Sequence, residues 1–217
     1  MMSEEEELLH ELDATKLIAV VAIDDANLAV PLANALLEGG VKFIEITFRT
    51  ASASDALKAL QDAKVKIHYG AGTVRTMAQA KRAIDAGAEF MVSPGFNEEI
   101  IMVSREAGIP FYPGVDSTLA IEKSMNLGLK VLKFFPAGVI GGVKWLKAMK
   151  GPYFDIKFIP TGGVSLSNLK EYVGLPNVIG IGGSFLSPKN LISEQKFDEI
   201  TKVCKEASAI VSSIKGE

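Results

Sequence analysis

The sequence predicts an α/β protein, folded as a single-domain (β/α)8 barrel. Apolar strand-like runs alternate with amphipathic helical segments almost to the end of the chain, which is typical of a parallel sheet. Eight such runs are present, the number that closes a barrel. A doubly wound open sheet is the competing architecture, but it normally has a glycine-rich turn after the first strand. Residues 22–25 read Ala-Ile-Asp-Asp there, which favours the barrel.

The eight predicted strands are short apolar runs bounded by polar residues or glycine. They cover residues 17–23, 42–48, 66–71, 90–93, 110–112, 130–134, 157–160 and 178–181. Helical periodicity places helices at 26–37, 53–60, 77–86, 98–107 and 118–126, and a longer one at 198–214. A further helix is expected before the first strand, where Ser3 and Glu6 have the spacing of a capping box. Glycines at 39–40, 87, 108 and 128 follow helical patterns, where left-handed C-caps are expected.

Composition narrows the function classes. The chain has 217 residues, of which 48% are apolar, which is enough for one domain over residues 1–217 with a large core. Its net charge of -3 gives no support to nucleic-acid binding, and no apolar stretch is long enough to span a bilayer. Cys204 is the only cysteine, which suits a reducing cytoplasm. With only two histidines, a zinc site is not expected, and we predict neither a metal nor a cofactor.

Lys133 is the most informative residue of the chain. Strand alternation within residues 130–136 puts Lys133 on one face with Val131 and Phe135, and puts Leu132 and Phe134 on the other. A charged ammonium in an apolar wall is costly unless it is paired. A buried lysine that loses its proton is instead a nucleophile toward carbonyl carbons. Two readings therefore stay open at this point, a structural ion pair and a catalytic amine.

A second inward charge is expected on the second strand. Its even positions, 44, 46 and 48, are apolar and suit the helix side of the barrel. Glu45, Thr47 and Arg49 then point inward or upward. A carboxylate inside a barrel needs a partner, and Lys133 is the candidate. A structural pair of Glu45 with Lys133 or Arg49 is the alternative, although buried pairs contribute poorly to stability.

Several turns are expected on the rim where barrel active sites are built. Thr73 follows the third strand, and Pro94 follows the fourth. Two glycine clusters, residues 161–163 and 182–184, follow the last two strands. Loops at those two positions of a (β/α)8 barrel often bind phosphate through backbone N–H groups, and Ser184 adds a hydroxyl. Two ordinary tight turns are the alternative.

Taken together, these residues indicate an enzyme that forms a Schiff base with a phosphorylated keto compound. Three other classes compete with this one: a metal-dependent aldolase, a phosphosugar epimerase or isomerase on the same barrel, and a non-catalytic barrel that binds a phosphometabolite. The first lacks metal ligands in the sequence, and the second leaves Lys133 without a task. The third has no support beyond fold analogy.

The motifs resemble one family in particular. Residues 45–50 (Glu-Ile-Thr-Phe-Arg-Thr), 70–74 (Gly-Ala-Gly-Thr-Val), 93–95 (Ser-Pro-Gly), 133–136 (Lys-Phe-Phe-Pro), 160–163 (Pro-Thr-Gly-Gly) and 182–184 (Gly-Gly-Ser) are similar to motifs of the 2-keto-3-deoxy-6-phosphogluconate aldolases. That family overlaps with the 4-hydroxy-2-oxoglutarate aldolases. The resemblance extends from about residue 17 to the C-terminal helix.

The resemblance implies a class I aldolase of the Entner–Doudoroff pathway, a (β/α)8 homotrimer that acts on a phosphorylated keto acid and releases pyruvate. Lys133 matches the Schiff-base lysine, and Glu45 matches the carboxylate that moves protons. The binding residues that it implies are Arg49 and Thr73 around the keto-acid carboxylate, Gly162, Gly163 and Ser184 at the phosphate with Gly182 and Gly183 shaping that site, and Pro94, Phe135 and Thr161 lining the pocket. One departure is Ala22, where many members carry an arginine.

Overall fold

The computed structural model of the chain describes residues 2–215. Its strands are β1 (Leu17–Val21), β2 (Phe43–Thr47), β3 (His68–Gly72), β4 (Phe90–Val92), β5 (Phe111–Tyr112), β6 (Gly114–Val115), β7 (Val131–Phe134), β8 (Lys157–Pro160) and β9 (Ile181–Gly183). Its α-helices are α1 (Glu4–Thr15), α2 (Ala29–Glu38), α3 (Ala53–Asp62), α4 (Met77–Asp85), α5 (Glu98–Glu106), α6 (Thr118–Asn126), α7 (Gly142–Met149), α8 (Leu166–Val173), α9 (Lys189–Ser193) and α10 (Phe197–Lys215).

The strands form parallel sheets with a helix after most strands, so the predicted α/β class is confirmed. One sheet has six strands in the order β5-β4-β3-β2-β1-β9, and the other has three in the order β6-β7-β8. Every pairing between these strands is parallel. The larger sheet curls into a half-barrel, and the arrangement fits a TIM-like fold.

Two predicted strands differ in detail from the observed ones. The run at 110–112 leads into two short strands, β5 and β6, because Pro113 stands between them and has no N–H group to donate to a ladder. The sequence predicts the last strand at 178–181, whereas the strand lies at Ile181–Gly183, so the predicted position is wrong. Its two glycines pair with residues of β1, Gly182 with Ile18 and Gly183 with Ala19. Because glycine is depleted in strands, strand propensity alone places such glycines in a turn.

The core has two layers, as alternation along the strands requires. One layer packs the helices against the outside of the strands and includes Ile44 and Phe134. The other fills the inside of the strands. The inner layer consists of Leu8, Leu12, Ile18, Phe43, Phe90, Val92, Tyr112, Val131, Ile159 and Ile179. The predicted facing is therefore confirmed, since Phe43 and Val131 lie inside while their neighbours lie outside.

Helix α1 covers the amino-terminal end of the strands. Its Leu8 and Leu12 belong to the inner layer, so the helix closes that end with apolar side chains. Ser3 and Glu6 form the predicted capping box, with Glu6 N–H donating to Ser3 Oγ and Ser3 N–H donating to Glu6 Oε2. Glu11 accepts from Lys42 at 2.6 Å and contacts His68 at 2.8 Å, which ties the helix to the strands.

The predicted C-cap glycines are also confirmed, with positive φ at Gly40, Gly87, Gly108 and Gly128. Within residues 2–215, no helix combines the length and the apolar character needed to cross a bilayer.

Candidate active site

Lys133 and Glu45 meet on the inner side of the strands. The Nζ atom of Lys133 lies 3.2 Å from Oε1 of Glu45, and the two residues are only 4% and 2% exposed. They come from different sheets, Glu45 from β2 and Lys133 from β7. Removing two charges from water costs several kcal/mol for each ion, and a single contact of this length does not repay that cost well. The pair is therefore poorly explained as a stabilising device, which favours a chemical role.

A glycine on the neighbouring strand makes room for the carboxylate. Gly72 stands opposite Thr47 in the β2–β3 register. A Cβ atom at Gly72 would lie 2.1 Å from Oε1 and 2.4 Å from Cγ of Glu45. No non-bonded carbon can approach that closely. The Glu45 side chain consequently fills the space that any other residue at position 72 would occupy.

An aromatic ring lies beside the lysine. The centre of the Phe135 ring is 5.5 Å from Lys133 Nζ, within the range of a cation–π contact. Phe135 also packs against the glycine loop after β8, because a Cβ at Gly162 would lie 3.3 Å from its ring. The half-buried ring thus forms a wall between the amine and that loop.

Arg49 lies two residues beyond the end of β2 and is exposed. Its Nε donates to Thr47 Oγ1 at 3.1 Å, and the Thr47 hydroxyl donates to the backbone oxygen of Val21 at 2.7 Å. Thr47 itself is buried. The sequence reading placed Thr47 on the inward face but gave it no function. The one sequence signal for a function of Thr47 is its place between two inward-facing charged residues, Glu45 and Arg49.

The two glycine clusters come together at the ends of β8 and β9. An isolated bridge pairs Thr161 with Gly182, and a Cβ at Gly182 would lie 2.4 Å from Thr161 Oγ1. Gly162 and Gly163 have φ of 86° and 81°, a backbone conformation that side chains with a Cβ rarely adopt. Gly138, after β7, donates to the oxygen of Gly162 at 2.8 Å. Backbone from the loops after β7 and β8 and from strand β9 is therefore in close contact here.

The remaining predicted residues lie on the same rim. Thr73 follows β3 with a φ of 57°, and Pro94 follows β4 with its carbonyl oxygen 2.2 Å from where a Cβ of Gly114 would be. Ser184 is exposed at the start of a short 3-10 turn after β9, next to buried Gly183. Arg49, Thr73, Pro94, Phe135, the residues 161–163 and Ser184 thus lie beyond the carboxyl ends of their strands, whereas Glu45, Lys133 and Gly182 lie within theirs. Direct side-chain contact is seen for Lys133 with Glu45 and for Lys133 with Phe135.

Two cavities lie elsewhere, beside α1. Their volumes are about 630 and 540 Å³. The first is lined by Phe111 and Val131, which are the first residues of β5 and β7. Both cavities therefore open at the amino ends of the strands. The convergence of Lys133 and Glu45, and not cavity size, identifies the candidate site at the other end.

A TIM-like α/β fold with a buried lysine and carboxylate toward the carboxyl ends of its strands defines a class of enzymes in which a lysine amine is the nucleophile. The family model described as KDPG and KHG aldolase matches residues 8–203 of this sequence. The chain belongs to that aldolase family of carbon–carbon lyases.

Individual relatives support the same assignment. The chain is 40% identical over 204 residues to a 2-dehydro-3-deoxy-phosphogluconate aldolase of Treponema pallidum, covering 94% of this chain and 97% of the relative. It is 40% identical over 190 residues to the KHG/KDPG aldolase of Escherichia coli K12, covering 88% and 89%. A crystal structure of KDPG aldolase from Legionella pneumophila, with pyruvate captured as a covalent carbinolamine intermediate, superposes with a TM-score of 0.87 at 38% identity, covering 90% of this chain and 95% of that one.

Proposed function

We propose that the chain cleaves 2-dehydro-3-deoxy-6-phosphogluconate to pyruvate and glyceraldehyde 3-phosphate through a Schiff base on Lys133, as a step of the Entner–Doudoroff pathway. It also cleaves 4-hydroxy-2-oxoglutarate to pyruvate and glyoxylate. The observation that carries the proposal is the buried contact of 3.2 Å between Lys133 Nζ and Glu45 Oε1. A carboxylate at that distance can take the proton that the amine must lose before it attacks a carbonyl.

The reaction begins when the Lys133 amine attacks the C2 ketone and gives a carbinolamine, which loses water to form a protonated imine. Glu45, directly or through water, removes the proton of the C4 hydroxyl. The electron pair of the C3–C4 bond then moves into the imine, which leaves an enamine and releases glyceraldehyde 3-phosphate. Protonation at C3 and hydrolysis of the imine release pyruvate and regenerate the amine. Proton transfer of this kind typically increases the reaction rate by about 10²–10⁴-fold.

Binding groups surround this centre in the proposed complex. Arg49 and Thr73 bind the keto-acid carboxylate, and Pro94, Phe135 and Thr161 line the pocket around the imine. The phosphate lies at Gly162, Gly163 and Ser184, with Gly182 and Gly183 shaping its site. The backbone geometry after β8 supports this assignment, because Gly162 and Gly163 both have positive φ and glycine-rich backbone offers N–H groups to anions. No metal or cofactor takes part.

Pyruvate with borohydride tests the covalent step. Wild-type protein should be inactivated and should carry a reduced adduct on Lys133, found by peptide mass mapping. Lys133→Arg keeps a cation beside Glu45 but cannot form an imine, so it should remain unlabelled. Lys157→Arg, at an exposed residue of β8, is the matched control and should be labelled like wild type. An absent adduct, or activity that chelation abolishes and zinc restores, would support the rival classes instead.

We also infer that the two sheets close into one (β/α)8 barrel that forms a single domain. Isolated parallel bridges from Phe158 to Val178 and from Thr161 to Gly182 link the β8 edge to the β9 edge. On the other side, only Pro113 separates β5 from β6. Counting β5 and β6 as one strand gives eight strands in the order required for a barrel.

A homotrimer is proposed from the family resemblance, and exposed apolar side chains support an interface. Leu119 on α6 is 63% exposed, and Phe154 is 80% exposed. The backbone segments that carry them are joined, because Tyr153, the neighbour of Phe154, donates to Glu122 of α6. Sedimentation equilibrium should return three times the chain mass of 23.2 kDa. A cytoplasmic location is proposed as well, since a sequence with one cysteine has no intrachain disulfide, which suits a reducing compartment.

A further inference from the structure

The Thr47 hydroxyl connects the end of β1 to Arg49. It donates to the Val21 oxygen at 2.7 Å and accepts from Arg49 Nε at 3.1 Å. A hydroxyl carries a single proton, so donation to Val21 leaves only its lone pairs for Arg49. The Nε–H group of arginine can only donate. The chain of hydrogen bonds therefore has one possible direction, from Arg49 through Thr47 to Val21, and it is anchored in a strand.

The bond to Thr47 uses one edge of the guanidinium group and leaves the other edge open. Within residues 2–215, the contact with Thr47 is the only hydrogen bond of the Arg49 side chain, and no carboxylate lies at ion-pair distance from it. Its terminal NH2 groups are free to bind a carboxylate in a bidentate manner. An exposed arginine normally samples many rotamers, and binding has to freeze them. Holding Nε in place removes part of that cost.

We propose that Thr47 is the positioning residue for Arg49 and fixes the plane of the guanidinium so that its free edge faces the keto-acid carboxylate. The inference rests on the proposed function, in which Arg49 binds that carboxylate. Thr47 does not touch the substrate. Its buried position, 2% exposed and paired with Gly72 in the β2–β3 register, makes its hydroxyl a rigid support.

A double-mutant cycle tests the proposal. Thr47→Val keeps the side-chain shape and removes the hydroxyl, whereas Thr47→Ser keeps the hydroxyl. Each is made in the wild-type and Arg49→Ala backgrounds, and the measurements are KM, kcat and the pyruvate concentration that gives half-maximal inactivation by borohydride. Thr47→Val should raise KM and the half-saturating pyruvate concentration about tenfold, the effect of one hydrogen bond to a charged group, and leave kcat within about threefold. Thr47→Ser should restore most of the affinity.

In the Arg49→Ala background, Thr47→Val should have less than about a twofold further effect, because the group that it positions is gone. An equal loss in both backgrounds would show that Thr47 supports the barrel and not Arg49, and would overturn the inference. If wild type is labelled by pyruvate and Thr47→Val binds it equally well, the inference fails while the proposed function stands. If wild type is never labelled, the proposed function itself fails. Should Thr47→Val not fold, Thr47→Ala, which leaves room for water at the Val21 oxygen, takes its place in the cycle.

Discussion

Replacing Gly72 with alanine should separate Glu45 from Lys133. The new Cβ would lie 2.4 Å from Cγ of Glu45, whereas carbon atoms in contact stand roughly 3.5 Å apart. The Glu45 side chain must therefore retreat by about 1 Å. That movement costs free energy, because Glu45 is only 2% exposed and accepts a hydrogen bond from Lys133. The backbone at Gly72 is not in the left-handed region, so the effect comes from space and not from backbone strain.

A displacement of about 1 Å in a catalytic group can cost about 10²-fold in rate. We therefore expect kcat for aldol cleavage to fall roughly 10²-fold in Gly72→Ala. Overpacking of this kind also costs about 1–3 kcal/mol in the free energy of unfolding. For a chain of this length, that lowers Tm by roughly 2–4 °C for each kcal/mol. Lys133 should still be labelled by pyruvate and borohydride, since its amine is not the group that moves.

Gly151→Ala is the matched control, because a Cβ there meets nothing within 4 Å. It should change neither kcat nor Tm. In a Glu45→Ala background, Gly72→Ala should lose its effect on Tm, because the crowded side chain is absent. Wild-type kcat together with an unchanged Tm in Gly72→Ala would refute the reasoning, since it would show that Glu45 works equally well from a different position.

Three further predictions concern other parts of the molecule. Glu45→Gln should still form the imine but slow cleavage and pyruvate proton exchange by roughly 10²-fold or more, measured by exchange in tritiated water; exchange at the wild-type rate would exclude Glu45 as the proton carrier. Ser184→Ala should lower kcat/KM for the phosphorylated substrate roughly 10–100-fold and leave an unphosphorylated substrate nearly unchanged, whereas equal losses would place the phosphate elsewhere. Hydrogen bonds to carboxylates, that to Glu89 first, raise the pKa of His68 above 6.5. The stability that His68 contributes should therefore be complete below about pH 6.5 and be lost as pH rises through the raised pKa. The Tm advantage of wild type over His68→Gln should shrink over that range, and an advantage that stays constant across it would contradict the prediction.

The strand pattern could be predicted from the sequence because burial on both faces leaves a strong signal. Glu45 and Lys133 stand out as charges within apolar runs, and strand alternation correctly placed both on the inner face. Their contact followed from the need of a buried charge for a partner. The exact ends of β9 could not be predicted, because Gly182 and Gly183 carry a turn signal while their neighbours in space hold them in a strand.

Support for the site was harder to predict than the site itself. Gly72 belongs to a recognisable motif, but its spatial role depends on the Glu45 side chain across a strand pair, and this becomes visible only in three dimensions. The role of Thr47 is equally hard to predict, because its hydrogen-bond partners Val21 and Arg49 come from two segments of the chain. Short-range patterns report burial and capping well, and they carry no information about which side chains share one small space.

Helix α1 also has a practical consequence for altering this enzyme. It covers the amino ends of the strands, with Leu8 in the core and Glu11 accepting a hydrogen bond from Lys42, while the loops that follow the carboxyl ends of the strands carry the candidate binding residues. Substitutions that strengthen the α1 end can therefore raise thermal tolerance without touching the substrate pocket. A surface or fused domain attached just ahead of Glu4 would face away from the incoming substrate. Robustness and selectivity are thus carried by separate ends of one molecule and can be engineered independently.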